Sequence, residues 1–470
     1  MSFFNSEYLD DDFSAYDDLD REIQSLKSSL ESGNIYELID KAEDLIQDCI
    51  ESDHLEDGLF FVNKLIDIFP YNSDYWSKKG IILSGMMDFN LSIECFEKAL
   101  SLNPNDIDVL IEKSSSEESI GLFRQAEESL LKILRIDPTN EDAHFNLGLL
   151  FERQGDFIKA IDYFDKVVQK DPEFLEVYYE LGFCYENSGE LSKALESYDK
   201  FLESDPYNPT GWYNRGIVLT KLNQLDQAIN SYDLATALRE DFPSAWFNKG
   251  NVYADLGRFQ PALDCFKKSL ELDDSDEASA FNIANIYEEL ADLSSAIKYY
   301  NLALKINDEY FDAYLARGYC FDLTGKYQLA LRDFNKAISL SKDSLEAWQA
   351  KADLEYSLGF LKESIKSYKE ALRIDKNNLE SWYNLAETYF EIGDWLSALS
   401  SYDKCIDIDP LDASSYYSKA KVNFILSRTQ DAVDCLKKAF SIDPSFRNEF
   451  EKEYPEIKSS KLFLRLLKEI

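Results

Sequence analysis

The sequence of 470 residues contains only two histidines, His54 and His144, so most metal sites and acid–base chemistry built on imidazole are not expected. Its seven cysteines lie far apart, with no Cys-x-x-Cys pair, which is typical of reduced thiols inside a cell. No uninterrupted apolar stretch approaches the roughly 20 residues that cross a bilayer. The N-terminus lacks the basic and apolar regions of a secretory signal. We therefore expect a cytoplasmic protein without membrane insertion.

Positive charge is also scarce, with 49 Lys and Arg against 89 Asp and Glu and a net charge of −40. This charge repels phosphate backbones and anionic lipid, so we expect no nucleic-acid partner. There is no glycine-rich phosphate loop, no Gly-x-Ser-x-Gly and no His-Glu-x-x-His. The acidic run 273–277 lacks the ligand spacing and central glycine of an EF-hand loop. The sequence therefore predicts no enzyme, no metal and no cofactor.

What the sequence has is a repeat of 34 residues. With Ser73 as position 1, eleven copies fill 73–446 without insertion or deletion. Position 8 is always small (Gly in six copies, Ala in four, Ser in one), and position 20 is Ala or Ser. Small residues at fixed places let two helices approach closely. Position 4, which carries five of the six tryptophans, and position 24, usually Tyr or Phe, are the expected large partners.

Glycine and proline divide each copy into two helices. Seven copies have Gly at position 15, where a left-handed residue would end the first helix. Pro recurs at position 32 in most copies outside 209–378 and stops the second helix. We predict two antiparallel helices in each copy, at about positions 1–14 and 17–30.

These residues resemble the tetratricopeptide repeat: Trp at position 4, Gly at 8, Tyr at 11, Ala at 20, an aromatic at 24, Ala at 27 and Pro at 32. An eroded copy is expected at 39–72, with Ile46 at position 8 and Gly58 at position 20, which makes about twelve tandem repeats. The resemblance implies an all-α fold, a right-handed superhelical α-solenoid of stacked antiparallel hairpins. In this family the first helices line the concave side, and stability accumulates along the stack.

The two ends of the chain depart from the repeat. Residues 1–20 hold seven acidic residues and no Lys or Arg, and are expected to be a flexible tail. Residues 21–72 are expected to form N-terminal helices that include the eroded repeat. Residues 447–470 are expected to contain a capping helix, because 456–470 forms a basic amphipathic pattern that could cover the last repeat. Membrane or partner binding by this helix is the alternative interpretation.

The resemblance also indicates where a partner would bind, since positions 2, 5, 6, 9, 12 and 13 face the concave groove in this family. Asparagines occupy positions 6 and 9 repeatedly: Asn146, Asn214, Asn248, Asn251, Asn282, Asn285 and Asn384. A side-chain amide both donates and accepts, so it can pair with peptide groups of an extended segment. The pattern resembles the asparagine ladder in the repeat arm of O-linked N-acetylglucosamine transferases. The alternative is that Asn is simply common at position 6.

Aromatic and acidic residues complete the expected groove. Tyr213, Phe247 and Phe281 at position 5 are expected to hold side chains of a ligand. A clamp for a C-terminal carboxylate would need Lys at position 5, and no copy has it. The early groove is acidic, which indicates either a solvated face or a basic partner. The acidic residues are Asp108, Glu112, Glu118, Asp142, Glu152, Glu176, Glu180 and Glu186.

The function predicted from these features is a non-enzymatic scaffold that binds extended peptide segments or protein surfaces in its groove. The alternative is a regulatory or adaptor subunit of an enzyme whose catalytic chain is separate. The sequence makes no prediction about self-association or about the identity of the partner.

Overall fold

The computed structural model describes residues 19–29 and 38–454, and every regular element in these ranges is a helix. The chain divides into two compact units, Met1–Leu238 and Arg239–Ile470. Residues 19–29 form helix α1. The other helices of the first unit are α2 Ile39–Glu51, α3 Leu55–Ile68, α4 Ser73–Gly85, α5 Phe89–Leu102, α6 Ile107–Ser119, α7 Phe123–Ile136, α8 Glu141–Arg153, α9 Phe157–Lys170, α10 Glu176–Asn187, α11 Leu191–Ser204, α12 Pro209–Lys221 and α13 Leu225–Leu238.

The second unit continues the same pattern of paired helices, with a short helix at its end. Its helices are α14 Pro243–Asp255, α15 Phe259–Leu272, α16 Glu277–Glu289, α17 Leu293–Ile306, α18 Phe311–Leu323, α19 Tyr327–Leu340, α20 Leu345–Ser357, α21 Leu361–Ile374, α22 Leu379–Ile392, α23 Trp395–Ile408, α24 Ala413–Ile425, α25 Thr429–Ile442 and α26 Ser445–Glu453. We call the first helix of each 34-residue copy helix A and the second helix B.

Polar caps and left-handed turns set the helix ends. Most A helices begin after an Asn, Asp or Ser at position 34 of the previous copy, whose side chain accepts a hydrogen bond from a backbone N–H of the first turn; Asn140, for example, accepts from Ala143 N at 2.8 Å. Position 15 has positive φ in all eleven copies, and Asp53 has it at the equivalent place in 39–72. Seven of these residues are glycines, and in the others a residue such as Met87 adopts the same conformation.

Each hairpin closes through a small residue on helix A and a ring on helix B. A Cβ added to Gly148 at position 8 would lie 2.3 Å from Cε1 of Phe164 at position 24, and one added to Gly182 would lie 2.7 Å from Cε1 of Tyr198. Both rings are fully buried. Positions 8 and 24 are therefore the pair that sets the distance between the two helices, whereas the large residue at position 4 serves another contact.

Position 4 joins a copy to the one before it. The indole Nε1 of Trp212 donates to the carbonyl oxygen of Pro206 at 2.9 Å, and Trp246 donates to Glu240 O at 3.1 Å. The same bond recurs at the three other tryptophans of position 4. Each acceptor lies two residues beyond the end of the preceding helix B, so within a unit this bond fixes one hairpin against the next.

The last hairpin is covered by α26. Phe450 is buried with its ring centroid 6.0 Å from that of Phe440, and the hydroxyl of Tyr417 donates to Glu453 Oε2 at 2.6 Å. The basic amphipathic helix predicted at 456–470 lies outside the described residues. Of the tail predicted at 1–20, residues 19 and 20 belong to α1, and the remainder also lies outside them.

The prediction of an all-α solenoid of stacked antiparallel hairpins is confirmed. The predicted helices at positions 1–14 and 17–30 correspond to observed helices such as α4 at positions 1–13 and α5 at positions 17–30. Each A helix packs on its own B helix, and each B helix packs on the next A helix within a unit. In the part of the chain that the structure describes, no helix is both long and apolar enough to span a bilayer.

Candidate protein-binding groove

The A helices line the inner side of each stack. In the first unit α4 contacts α6, α6 contacts α8, and α8 contacts α10, each two helices along the chain. In the second unit α18 contacts α20, and α20 contacts α22. Among the described helices, no two B helices contact each other to the same extent. The surface that successive A helices share within a unit is the candidate groove.

Asparagines at position 6 bridge successive A helices. Asn214 Nδ2 donates to the hydroxyl of Tyr179 at 3.0 Å, and Asn384 Nδ2 donates to Asp353 Oδ1 at 3.3 Å, in each case on the A helix before. Asn146 differs, because its Nδ2 donates to the carbonyl oxygen of Asp142 one turn earlier in its own helix. The amides that the sequence singles out for a partner thus also hold neighbouring repeats together.

The second unit brings four of the predicted asparagines onto two A helices, Asn248 and Asn251 on α14 and Asn282 and Asn285 on α16. Asn282 Nδ2 donates to Asn251 Oδ1 at 3.0 Å. Asn285 Oδ1 accepts from the hydroxyl of Tyr300 at 2.7 Å. Among the described residues, the amide N–H groups of Asn251 and Asn285 and the side-chain oxygen of Asn282 make no hydrogen bond. All four side chains are half-buried. The predicted residue Asn214 belongs to the first unit.

The aromatic residues of position 5 are half-buried and pack inward on the ring of position 24. The centroid distance is 6.1 Å from Tyr213 to Tyr232 and 5.6 Å from Phe247 to Phe266. Phe281 lies 5.6 Å from Tyr300 and 4.9 Å from Tyr310 in the same measure. Each of these rings is therefore held by an aromatic residue of the core.

Carboxylates also line the second unit, which the sequence analysis did not single out. The hydroxyl of Tyr402 donates to Glu387 Oε1 at 2.5 Å, and that of Tyr368 donates to Asp353. Burial raises the pKa of Asp353, and bonds from Tyr368 and Asn384 oppose this. The sequence contains a signal for these contacts. Each copy that has Ala at position 8 and Tyr at position 24 also has an acid or an amide at position 9, which can accept a hydrogen bond from the Tyr hydroxyl.

In the first unit the acidic groove residues fall into paired and unpaired groups. Arg153 Nη1 lies 2.9 Å from Glu118 Oε1, and Lys221 Nζ lies 2.9 Å from Glu186 Oε1. Glu152 instead accepts a hydrogen bond from the thiol of Cys184, with Sγ 3.7 Å from Oε2. Burial, and next the charge of Glu152, raises the pKa of Glu180 to about 7.

The histidine and cysteine side chains that could carry out chemistry serve the packing of the repeats. His144, at position 4, places Nε2 3.0 Å from the carbonyl oxygen of Pro138, in the same way as the tryptophans do. Burial raises the pKa of thiols such as Cys49, to about 11, which keeps them protonated. Among the residues described, no group of three or more His, Cys, Asp or Glu side chains could hold a metal ion.

Stacked helix hairpins with an inner face built from successive A helices define the α-solenoid class of repeat proteins. Models described as "TPR repeat" and "Tetratricopeptide repeat" together match more than half of the chain. The matched segments are 73–106, 111–173, 145–209, 197–230, 218–257, 243–276, 278–310, 311–344, 352–393, 379–410 and 413–446. The chain belongs to the tetratricopeptide repeat family, which confirms the resemblance drawn from the sequence. No curated protein matches the sequence of this chain.

Solved structures with similar folds include YrrB, described as a TPR protein with an unusual peptide-binding site. It is 22% identical, with 38% of this chain and 92% of that chain covered and a TM-score of 0.35. A tetratricopeptide repeat protein from Parabacteroides merdae is 19% identical over 53% of this chain and 98% of its own, with a TM-score of 0.40. Yeast Tom70 is 15% identical over 89% and 100%, with a TM-score of 0.36.

Proposed function

We propose that this chain is a non-enzymatic scaffold that holds an extended segment of a partner protein against the inner face of its A helices. A tetratricopeptide repeat protein is in general a scaffold for protein interactions, and the finer proposal concerns where and how the partner is held. The observation that carries it is the amide pair of Asn251 and Asn282 with Asn285 beside it.

The hydrogen-bonding capacity left on these amides suits a peptide backbone. The bond from Asn282 to Asn251 uses one N–H of Asn282 and the oxygen of Asn251, so the remaining groups include both N–H donors of Asn251 and the oxygen acceptor of Asn282. Asn285 adds another amide donor, because its oxygen is taken by Tyr300. Extended backbone offers carbonyl acceptors and N–H donors in alternation, and such bonds do not depend on the partner's side chains.

Aromatic surface beside the amides would supply the apolar part of the contact. Phe247 lies on α14 and Phe281 on α16, each half-buried. Their inner edges are locked by Phe266 and Tyr300. A ring that is already held in place loses little conformational entropy when a ligand side chain packs on it. Tyr213 and Asn214 would act in the same way in the first unit.

The experiment compares two double variants of the full chain in affinity capture from native extract, read by mass spectrometry. The test variant is N251A/N282A, and the matched control is N230A/N335A, which removes two exposed asparagines from B helices. We expect at least one partner that wild type and control retain and the test variant loses. If the test variant keeps every partner of the wild type, the amide pair is a contact between repeats only.

A second step tests backbone recognition in the partner thus found. The partner segment is synthesised with single N-methyl groups on successive peptide nitrogens, and its affinity for wild type and N251A/N282A is measured by calorimetry. We expect one or two N-methylated positions to weaken binding to wild type by about tenfold, since each removes a hydrogen bond worth about 1 kcal/mol and adds a steric clash. The same positions should matter much less for the variant.

A further inference from the structure

A crevice of about 480 Å³ lies between the B helices α21 and α23 of the second unit. The A helix between them, α22, contributes Trp382, Leu385 and Tyr389, which give the crevice an apolar part. The indole of Trp382 donates to the carbonyl oxygen of Lys376 at 2.9 Å, and Lys369 Nζ lies 5.6 Å from the ring centroid of Tyr389. None of these residues belongs to the asparagine, aromatic or acidic set of the candidate groove, so the crevice is a separate surface.

Three cations line one side of the crevice. Lys369 and Arg373 lie on α21, and Lys376 lies in the turn that follows it. In the described part of the chain, the ammonium groups of Lys369 and Lys376 form no ion pair. Arg373 has two, with Nε 3.0 Å from Glu370 Oε2 and Nη2 3.2 Å from Asp343 Oδ1, but its side chain is 58% exposed. Exposed pairs of this kind contribute little, so the crevice has two cations without a counterion and a third that is loosely held.

Hydroxyl groups line the other side of the crevice. Ser397, Ser400 and Ser401 lie on α23. Ser401 is buried, and its hydroxyl donates to the carbonyl oxygen of Ser397 at 2.9 Å. The hydroxyls of Ser397 and Ser400 form no hydrogen bond among the described residues. Two hydroxyl donors therefore face the same space as the two unpaired ammonium groups.

The repeat register shows that this set of side chains is an exception within the chain. The cations and serines occupy positions 25, 29 and 32 of one copy and positions 19, 22 and 23 of the next. At each of the nine other junctions between full copies, at least one of these six residues is Asp or Glu. Carboxylates are thus absent only here, although the chain has 89 acidic and 49 basic residues.

The next junction along the chain provides a structural comparison. Its crevice, also of about 480 Å³, lies between α23 and α25. There Lys419 at position 7 forms an ion pair with Asp403 at position 25 of the preceding copy. The corresponding residues of the first crevice are Leu385 and Lys369. An acid that is paired within the protein at one junction is therefore replaced at the other by a cation without a partner.

We propose that the crevice between α21 and α23 binds the phosphoryl group of a phosphorylated residue in a partner polypeptide. A phosphate monoester carries about −1.5 to −2 charges near neutral pH, which two unpaired ammonium groups balance, whereas a carboxylate would balance only one. Its three oxygens accept hydrogen bonds from ammonium, guanidinium and hydroxyl donors.

The remaining surface of the crevice and of the chain indicates what carries the phosphoryl group. Leu385 and Tyr389 offer apolar contact to neighbouring side chains of a polypeptide, a contact that an inorganic phosphate ion does not use. Nucleic acid is disfavoured as the carrier, because its continuous backbone charge is repelled by a chain with a net charge of −40. The site lies between B helices and goes beyond the groove of the proposed function.

The test measures binding of the fluorescein-labelled peptide Ala-Leu-Ser-Leu-Ala, phosphorylated on its serine, to the full chain by fluorescence anisotropy. K369Q/K376Q removes the two unpaired charges and should weaken binding by about tenfold or more, because charge-assisted hydrogen bonds are lost. S400E places a carboxylate at position 22, where the next copy has Asp434, and should weaken binding by about tenfold through repulsion.

Each variant has a matched control outside the crevice. K362Q/K366Q removes two exposed lysines from α21 itself, and S339E makes the same serine-to-glutamate change at an exposed position of α19. The controls should stay within about twofold of wild type, since they alter only the general field. Every substituted residue is exposed, and denaturation midpoints check that the variants fold.

Three results would overturn the site. The first is that wild type shows no phosphate-dependent binding, either because it binds the unphosphorylated peptide equally or because it binds neither. The second is that K362Q/K366Q weakens binding as much as K369Q/K376Q does, which would mean that the peptide senses only the general field. The third is that inorganic phosphate displaces the peptide at the concentration at which the unlabelled phosphopeptide does, which would make this a site for the ion and not for a polypeptide.

The result is separable from the test of the asparagine pair. N251A/N282A should bind the phosphopeptide as wild type does, since its two asparagines lie on α14 and α16. Phosphate-dependent binding that K369Q/K376Q abolishes would support the crevice even if N251A/N282A kept every captured partner. Equal binding by K369Q/K376Q and wild type would reject the crevice and leave the proposed function intact.

Discussion

At the scale of the residue, the sequence matches small side chains on helix A to rings of a particular size on helix B. Phe at position 24 always stands opposite Gly at position 8, as in Gly148 and Phe164. Where position 8 is Ala, position 24 is Tyr or Leu, as in Ala284 with Tyr300. These tyrosines are tied by their hydroxyls to polar groups on helix A, and Tyr300 donates to both Asn285 and Glu288. Packing and hydrogen bonding are therefore selected together within one hairpin.

We predict that Gly148→Ala destabilises the protein by about 1–2 kcal/mol, because the clash of the new Cβ with the Phe164 ring outweighs the gain in helix propensity. In combination with Phe164→Leu the two costs should be less than additive by about 1 kcal/mol, since Leu leaves room for Ala, as Ala420 and Leu436 coexist in the last copy. Denaturation midpoints of the single and double variants measure this. Strict additivity would show that positions 8 and 24 do not set the spacing.

At the scale of the element, a hydrogen bond from the residue at position 4 ties seven of the eleven copies to the segment that follows the preceding helix B. The donor is an indole in five copies and an imidazole in one, where His144 reaches Pro138. The histidine is the poorer choice, because its Nδ1 is buried and has no hydrogen-bond partner in the described part of the chain. Tyr178 makes the longest version of this contact, with its hydroxyl 3.3 Å from Pro172 O.

We predict that His144→Trp stabilises the protein by about 0.5–1.5 kcal/mol, since an indole keeps the bond to Pro138 and removes the unpaired ring nitrogen. His144→Phe, which keeps the ring but not the donor, should be less stable than His144→Trp by about 1 kcal/mol. Urea denaturation at neutral pH compares the three proteins. Equal midpoints for the Trp and Phe variants would mean that the hydrogen bond contributes nothing.

At the scale of the whole molecule, the net charge of −40 is distributed over a chain that has few cations to neutralise it. Many of the cations are used in ion pairs within a hairpin. Arg317 binds Asp333 through two bonds, Nε to Oδ2 at 2.7 Å and Nη2 to Oδ1 at 2.8 Å, and Asp333 is buried. Buried pairs of this kind are little screened by salt, while the excess of surface carboxylates is screened strongly. Salt therefore acts mainly on the repulsion among surface carboxylates.

We predict that the free energy of unfolding increases when sodium chloride is raised from about 0.01 M to about 0.15 M, over which the Debye length falls from about 30 Å to about 8 Å. The repulsion that salt removes acts over many carboxylates, whereas each exposed ion pair that salt weakens contributes only about 0–1 kcal/mol. Urea midpoints at the two salt concentrations are the measurement, and potassium chloride should act equally. A lower midpoint at high salt would mean that ion pairs dominate over repulsion.

The fold could be predicted almost completely because its determinants repeat and are local. The left-handed turn at position 15, the small residue at position 8 and the ring at position 24 all act within one copy of 34 residues. Eleven copies in register make each of them visible by comparison within the chain. The positions of the candidate asparagines on the A helices follow from the same register. From the sequence, positions 4 and 24 were both expected to pack against the small residues. In the structure position 24 does so, whereas position 4 contacts the preceding copy.

Only the tertiary structure decided how side chains of neighbouring copies meet. The bond between Asn251 and Asn282 and the ion pair of Arg153 with Glu118 join successive repeats, and depend on the offset between two A helices and on side-chain rotamers. The same is true of Phe281, whose ring packs on Tyr300 and Tyr310 and is half-buried. Periodicity determines which face of a helix a residue lies on. The distance and orientation between two such faces arise from packing, and they determine which amides and carboxyls bond to each other.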